Sequence, residues 1–351
     1  MITPWLFEFF HELRDPAARQ DPRAINAHFE RYLDLWTRAE ARGYHGIFFS
    51  EHHFGAGYSP SPNLLVAAMA SRTTTMRLGT LGVVTPYATP WRVLEEIGML
   101  DHLTGGRLEV GLVSGIPPEL AVVGIDATEA AARHVEMIDV VTAALRDPVV
   151  THHGTHWSFD DVRIVPRPLQ QPPPVWTAVR SAASAARAGQ LGWKICGGFL
   201  SARDMAVVFD SYRAAALDAD HAVGPDDIAI RRLVSFVDDA ADRPNGVATA
   251  RRQLLATLQA SAGPLPPWAT LLDSPDGELE ALSNEEFVAG TPAQVAAQIV
   301  EQCATAGAGN FVVAFAATEH DELDRAHALF AAEVAPVLRA AALPVRSARL
   351  V

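Results

Sequence analysis

Cysteine is scarce in this sequence. Cys196 and Cys303 are the two cysteines among 351 residues, and they lie far apart without forming a CxxC pattern. Neither a disulfide framework nor a cysteine-type zinc site is therefore expected. Because nothing indicates secretion, both residues are predicted to be reduced thiols of a cytoplasmic protein.

Basic residues and long apolar runs are also few. The chain has 28 lysines and arginines against 41 aspartates and glutamates, a formal net charge of −13, so we expect it to bind neither nucleic acid nor an anionic membrane surface. No stretch reaches the roughly 20 apolar residues of a membrane-spanning helix. The opening segment MITPWLFEFF is short, follows no basic residues and contains Glu8, so it fits a buried strand better than a signal peptide. An acid within such a strand could face a pocket.

A further absence bears on the fold. No GxGxxG motif follows the first strand-like segment, which disfavours a doubly wound nucleotide-binding sheet. Eight apolar segments alternate instead with helix-like segments: TPWLFEFF, GIFFS, MRLGTLGVVT, RLEVGLVSG, VWTAV, WKICGGF, IAIRRLVSFV and NFVVAFA. Such alternation predicts an α/β fold with a parallel sheet, and eight units fit a closed (βα)8 TIM barrel, here a single domain over residues 1–351.

Two segments interrupt the alternation. THHGTHWSFDDVRIVPRPLQQPPP predicts a β-hairpin followed by a proline-rich connection. Residues 238–286 are rich in proline, glycine and small residues. They are predicted to be an insertion within the barrel domain that could act as a mobile lid.

The stretch GIFFSEHHFGAGYSP places a carboxylate and two imidazoles where an apolar strand ends. Functional groups of parallel barrels gather at the C-terminal ends of strands, so a metal site, a catalytic site and a polar strand end without chemistry are all open. Alternation along the strand puts Ser50 and His52 on one face, and Glu51 and His53 on the other. Neighbouring histidines on opposite faces do not readily chelate one ion, and no metal is expected.

Three longer stretches resemble the bacterial luciferase-like family of flavin-dependent monooxygenases. They are EARGYHGIFFSEHHF, RLGTLGVVTPYATPWRVLEEIGMLDHLTGGRLEVGLVSG and WSFDDVRIVPRPLQQPPPVWTAVRSAASAARAGQLG, which span most of residues 39–192 in the family's order and spacing. The resemblance implies an eight-stranded barrel that binds reduced flavin mononucleotide (FMN) at its C-terminal rim. A separate flavin reductase would supply the reduced cofactor.

The resemblance also implies roles for residues around the flavin ring. His52 matches the position of a histidine that is important for turnover in luciferases, and an imidazole can exchange a proton near neutral pH. Glu51 would contact the ring or its loop. Leu81 and Gly82 match a pair whose peptide bond, sometimes cis, lies beneath the isoalloxazine, where glycine permits a close approach. A glycine bulge in a barrel strand is a plainer reading of the same residues.

Two further groups depart from the luciferase pattern. Val113 and Ser114 would approach the ring and the ribityl chain, where luciferases have a cysteine and an arginine, so bioluminescence is not expected. Arg180, Ser181 and Ala182 match the phosphate end of the site, although luciferases have a glutamate in place of Arg180. A helix beginning at Ser181 would attract a phosphate, and Arg180 would add a charge-assisted hydrogen bond. An ordinary N-cap beside a solvated arginine is the alternative.

The sequence thus predicts a flavin-dependent monooxygenase. Reduced FMN would react with O2 at C4a, and an oxygen atom would pass to a small organic substrate. Cofactor chemistry would also explain the lack of a catalytic triad. One alternative is an oxidoreductase of the same fold that uses the deazaflavin coenzyme F420, and another is a non-catalytic flavin-binding paralogue. The family commonly forms dimers, so a homodimer is expected, whereas the substrate is not specified.

Overall fold

The structure, a computed structural model, describes residues 1–55, 57–260 and 285–343. The strands are β1 Thr3–Glu8, β2 Gly46–Phe49, β3 Arg77–Thr80, β4 Val83–Val84, β5 Leu108–Val113, β6 Val149–His153, β7 Ser158–Arg163, β8 Val175–Val179, β9 Lys194–Gly197, β10 Ile228–Phe236, β11 Phe287–Gly290 and β12 Asn310–Phe315. The α-helices are α1 Pro22–Ala41, α2 Pro62–Ala70, α3 Pro90–Thr104, α4 Pro117–Val122, α5 Ala127–Arg146, α6 Ala182–Leu191, α7 Ala202–Asp218, α8 Arg243–Ala260, α9 Pro292–Ala306, α10 His320–Leu329 and α11 Ala335–Ala340. None of these described helices is both long and apolar enough to cross a membrane.

The strands close into a parallel barrel. Going round it, the order is β1, β2, β3, β5, β8, β9, β10 and β12. β1 pairs with β2 on one side and β12 on the other, and β10 pairs with both β9 and β12. The barrel strands follow one another in sequence order, as they do when βα units are joined in succession. The predicted (βα)8 barrel is confirmed.

Aromatic side chains fill part of the barrel interior. Trp5, Phe48 and Trp176 are buried, and the rings of Trp5 and Phe48 stack with their centroids 4.8 Å apart. The indole N–H of Trp5 donates to Oδ1 of Asn310 (2.9 Å) and that of Trp176 to Oε2 of Glu109 (2.5 Å). Trp5 pairs with the first residue of β2, so these rings lie toward the N-terminal ends of the strands. The C-terminal ends are left to form a cavity.

Several predicted elements differ in detail. The third predicted strand is divided into β3 and β4, and β4 pairs with β5. The predicted hairpin is confirmed by the antiparallel pair β6 and β7. The short strand β11 was not predicted, and it pairs with the C-terminal half of β10.

Part of the predicted insertion at 238–286 is helical. Ala250 and Leu254 of α8 are buried against residues of β10, β11 and β12, so this helix covers one side of the barrel. Residues 261–284 lie outside the described residues. A lid in this segment and a single domain over the whole chain remain predictions.

Glu8 does not face the barrel interior, contrary to the suggestion from the sequence. Its Oε2 accepts a hydrogen bond from the indole N–H of Trp36 in α1 (3.0 Å), and its Oε1 accepts one from the backbone N–H of Phe10 (3.1 Å). The side chain therefore lies between β1 and the helix layer. Burial raises the pKa of this carboxyl to about 7.

Candidate active site

A cavity of about 640 Å³ opens at the C-terminal ends of the barrel strands. This volume lies within the range usual for small-molecule sites, roughly 300–1,000 Å³. Most of the lining is apolar, with side chains such as Phe7, Phe9, Leu81, Val113, Ile116 and Trp193. The polar and charged side chains that reach it include Ser50, Glu51, His52, Ser114, Glu119, His134, Thr177, Arg180, Ser184, Arg187 and Arg231.

His52 lies on the cavity wall and is held by a carboxylate. Its Nδ1 is 2.9 Å from Oε1 of Glu119, a side chain of α4 that is 2% exposed, whereas the imidazole is 23% exposed. The ring of Phe9 stacks against the imidazole with centroids 5.9 Å apart. Since Nδ1 is engaged, Nε2 is the nitrogen through which His52 can exchange a proton with a molecule in the cavity.

Glu51 also lines the cavity, and both of its oxygens have protein partners. Oε1 lies 3.0 Å from Nε2 of His53, and Oε2 accepts a hydrogen bond from the backbone N–H of Val84 (3.1 Å). The hydrogen bond from His53 to Glu51 raises the pKa of that imidazole. Glu51 therefore ties the loop after β2 to β4, and His53 is its partner rather than part of the cavity lining.

Leu81 and Gly82 form the gap between β3 and β4, and both line the cavity. Their peptide bond is cis, a conformation that the resemblance allows for this pair. A Cβ on Gly82 would lie 2.6 Å from the backbone carbon of Gly111 in β5, so close strand packing requires glycine here. Val113 and Ser114, at the end of β5, line the same cavity.

The start of α6 brings positive charge to the cavity. Ser181 is the N-cap, and its side chain accepts a hydrogen bond from the backbone N–H of Ser184 (3.2 Å). Arg180 and Ser184 line the cavity, and so does Arg187, which also pairs with Asp139. Free N–H groups and positive charge at a helix start attract anions.

Of the predicted site residues, two lie outside the cavity lining. Glu51, His52, Leu81, Gly82, Val113, Ser114 and Arg180 line the cavity, whereas Ser181 and Ala182 do not. Ala183 and Ser184 take the place of the latter two, since the first helical turn rotates the next residues toward the barrel.

Sequence reasoning missed four ionisable groups of the cavity. Glu119, His134, Arg187 and Arg231 lie on α4, α5, α6 and β10, and no local motif marks them. His134 hydrogen-bonds with Oγ1 of Thr85 (2.7 Å), and burial lowers its pKa to about 4, so the imidazole is neutral near pH 7. Within the described residues, no group of three His, Cys, Asp or Glu side chains is placed to hold a metal ion.

Comparison with known proteins identifies the family. Residues 7–309 match the sequence profile of the family described as luciferase-like monooxygenase. The uncharacterized protein y4wF of Sinorhizobium fredii is 33% identical over 295 residues, which are 81% of this chain and 84% of that protein. The oxygenase component of flavin-dependent trigonelline monooxygenase from Acinetobacter baylyi is 34% identical over 172 residues, 48% of each chain.

Solved structures show the same fold. Monooxygenase RslO1 from Streptomyces bottropensis superposes with a TM-score of 0.79 and 25% identity, covering 95% of this chain and 99% of that one. The oxygenating constituent of 3,6-diketocamphane monooxygenase from Pseudomonas putida, in complex with FMN, superposes with a TM-score of 0.75 and 20% identity. The superposition covers 99% of this chain and 100% of that one. An F420-dependent secondary alcohol dehydrogenase superposes with a TM-score of 0.75 and 17% identity, covering 96% of this chain and 99% of that one. The chain belongs to the luciferase-like family of flavin-dependent monooxygenases, and it is an enzyme of that oxidoreductase class.

Proposed function

We propose that this protein is the oxygenase of a two-component monooxygenase, which uses reduced FMN and O2 to oxygenate a small organic substrate. The observation that carries the proposal is the His52–Glu119 pair on the wall of a mostly apolar cavity that also contains a positively charged helix start. The names of relatives support it, because one is a flavin-dependent oxygenase component and one structural neighbour holds FMN.

The groups around the cavity fit FMN in charge and in shape. The first turn of α6, with Arg180 and Arg187, would hold the phosphate. Leu81, Gly82 and Val113 would provide apolar and backbone surface for the planar ring. Bound reduced FMN supplies the electrons that activate O2.

The protein's own side chains orient the imidazole of His52 and keep water out of the cavity. The Glu119 carboxylate holds Nδ1 of His52, so that Nε2 can give a proton to, or take one from, the reacting oxygen. Phe9 stacks on the imidazole and limits its rotation. The apolar walls would exclude water and so limit side reactions at the bound cofactor.

The test is an anaerobic titration with reduced FMN, followed by mixing with oxygenated buffer while absorbance and O2 uptake are recorded. We expect saturable binding, then a transient spectrum that differs from both reduced and oxidised FMN. Binding of oxidised FMN without turnover would instead indicate a flavin-binding paralogue. Absence of FMN binding would refute the proposal, and hydride transfer with F420 would then be assayed, as the F420-dependent neighbour suggests.

A flavin reductase is the proposed protein partner, because one relative is named as the oxygenase component of its system. Purified protein supplied with NADH and FMN should therefore form no product until a reductase is added. Product formed by this chain alone would show that it reduces its own flavin. A cytoplasmic location remains a prediction.

Removing Arg180 should weaken the binding of FMN but not of riboflavin, which lacks the phosphate. We expect Arg180→Ala to raise the dissociation constant for FMN about tenfold at low ionic strength, as the loss of a charge-assisted bond implies. Fluorescence titration with each flavin gives both constants. Arg146→Ala, at the exposed C-terminal end of α5, is the matched control and should change neither constant. An equal loss of affinity for FMN and riboflavin would show that Arg180 does not contact the phosphate.

The predicted homodimer would use an apolar surface on α2 and α3. Met99 and Leu103, four residues apart on α3, are 54% and 57% exposed, and Trp91 in the first turn of that helix is 42% exposed. Leu64 of the neighbouring helix α2 is 70% exposed. An apolar surface of this kind marks a contact site. We propose that it is covered by a second copy of the chain.

Light scattering after size-exclusion chromatography should give twice the chain mass of 37.7 kDa. The double variant Met99→Lys with Leu103→Lys is expected to be monomeric. Leu217→Lys, which changes an equally exposed leucine on α7, should remain dimeric. A monomeric wild-type protein, or a dimeric double variant, would contradict this assignment.

A further inference from the structure

A buried arginine on the cavity wall has no task in the mechanism proposed above. Arg231 of β10 is 7% exposed and lines the cavity. Its neighbour Arg232 is fully buried, and its Nε donates to Oε1 of Gln302 in α9 (2.7 Å). Alternation along β10 therefore directs one guanidinium into the barrel and the other into the helix layer.

Both arginines share one carboxylate, that of Glu286. Oε1 accepts from Nη2 of Arg231, and Oε2 accepts from Nη1 of Arg232 (2.9 Å) and from the backbone N–H of Phe199 (2.8 Å). In the part of the chain that the structure describes, no second acceptor is hydrogen-bonded to Arg231. A guanidinium has five N–H donors, so most of those on Arg231 are left for a ligand.

Aromatic rings flank the guanidinium of Arg231. Its central carbon lies 4.6 Å from the ring centroid of Phe199 and 5.8 Å from that of Phe7, and both rings line the cavity. Cys196, also on the cavity wall, stays a neutral thiol because burial raises its pKa to about 12. A buried planar cation close to two aromatic rings suits a planar anion that accepts two parallel hydrogen bonds.

We infer that Arg231 recognises the substrate, and that the substrate is a small planar organic acid whose carboxylate binds the open edge of the guanidinium. The inference rests on the proposed function, because that function assigns the cofactor phosphate to Arg180 and α6 and leaves Arg231 for the second ligand. Phe7 and Phe199 contact the planar part of the acid. An uncharged analogue of the same shape is rejected, because it leaves the buried donors of Arg231 unpaired.

The test compares acids with their amides of nearly equal shape. Benzoate and benzamide, then 2-naphthoate and 2-naphthamide, are titrated calorimetrically into the protein loaded with oxidised FMN. We expect at least one acid to bind about tenfold more tightly than its amide, as a charge-assisted bond implies. Arg231→Gln should abolish this preference, because the acid loses its charge-assisted bonds and the amide no longer leaves guanidinium donors unpaired. Arg72→Gln, which removes a surface guanidinium paired with Glu30 and Asp34, is the matched control and should keep it.

Several results would overturn the inference. They are equal binding of acid and amide by the wild-type protein, no binding of either acid, or a preference that survives Arg231→Gln. If the preference survives and Arg231→Gln also lowers the reduction potential of bound FMN, Arg231 interacts with the flavin ring rather than with the substrate. Failure of FMN to bind during loading would refute the proposed function itself, and the loading titration reports this separately.

A conservative variant guards against loss of fold. Arg231→Gln leaves Glu286 with one arginine, so its folding is checked by circular dichroism. Arg231→Lys keeps the buried positive charge but lacks the planar fork. It should fold and should retain only part of the preference for the acid. A full preference in Arg231→Lys would show that the two parallel hydrogen bonds are not made.

Discussion

His52→Ala should lower the rate of substrate oxygenation by about 100-fold to 10,000-fold, the contribution usual for a positioned proton donor or acceptor. Binding of FMN should change little, because the phosphate is assigned to Arg180, Arg187 and the start of α6, and His52 is not one of these groups. Single-turnover oxygenation, with a substrate first identified on the wild-type protein, measures the rate. A fluorescence titration measures the affinity for FMN.

His53→Ala is the matched control for this experiment. His53 is adjacent in sequence and has the same side chain, but it pairs with Glu51 and is not part of the cavity lining. Glu51 keeps its second hydrogen bond, to the backbone N–H of Val84, so the loop after β2 remains tied to β4. A much smaller loss than in His52→Ala is expected. Unchanged turnover in His52→Ala would remove this histidine from the mechanism.

Glu119→Gln should lower turnover by about 10-fold to 100-fold, the range for loss of a hydrogen bond to a charged group. The carboxylate can only accept, so it favours the proton on Nδ1 of His52 and leaves Nε2 facing the substrate. A glutamine of nearly the same size can also donate, so it no longer selects one tautomer. Because Glu119 is buried, thermal unfolding must be recorded for the variant beside its turnover.

Glu129→Gln provides the comparison for Glu119→Gln. Glu129 lies in the first turn of α5, pairs with Arg133 on the same helix (2.6 Å) and is not part of the cavity lining. The substitution removes one carboxylate in the same way and should leave turnover unchanged. If Glu119→Gln folds normally and is as active as the wild-type protein, the hydrogen bond to Nδ1 does not govern the function of His52.

Much of the fold was predictable from local patterns. The alternation of apolar strands and helices predicted the closed barrel, because parallel strands need helical crossovers and a buried sheet. The division of the third strand at Leu81 and Gly82 and the short strand β11 were missed. Both features depend on neighbouring strands: Gly82 packs against the backbone of β5, and β11 pairs with β10.

The candidate site was predictable only where a motif lies at a strand end. His52 and Glu51 follow β2 directly, so barrel geometry places them at the rim. Glu119 follows His52 by 67 residues and Arg231 is one of many arginines, so neither is marked by local sequence. The suggestion that Glu8 faces a pocket was wrong for a related reason. Glu8 does lie in the predicted strand, but a strand has two faces, and Glu8 is on the outer one, where it accepts a hydrogen bond from the indole of Trp36.

The sequence by itself therefore determined the succession of βα units, the family resemblance and the residues at the strand ends, because each depends on residues close together in the chain. Only the tertiary structure decided which side chains share the cavity. Closure of the barrel brings α4 to the imidazole of His52 and turns Arg231 toward the interior, close to two aromatic rings. Hydrogen bonds and burial of this kind depend on distance in space, which local sequence patterns do not contain.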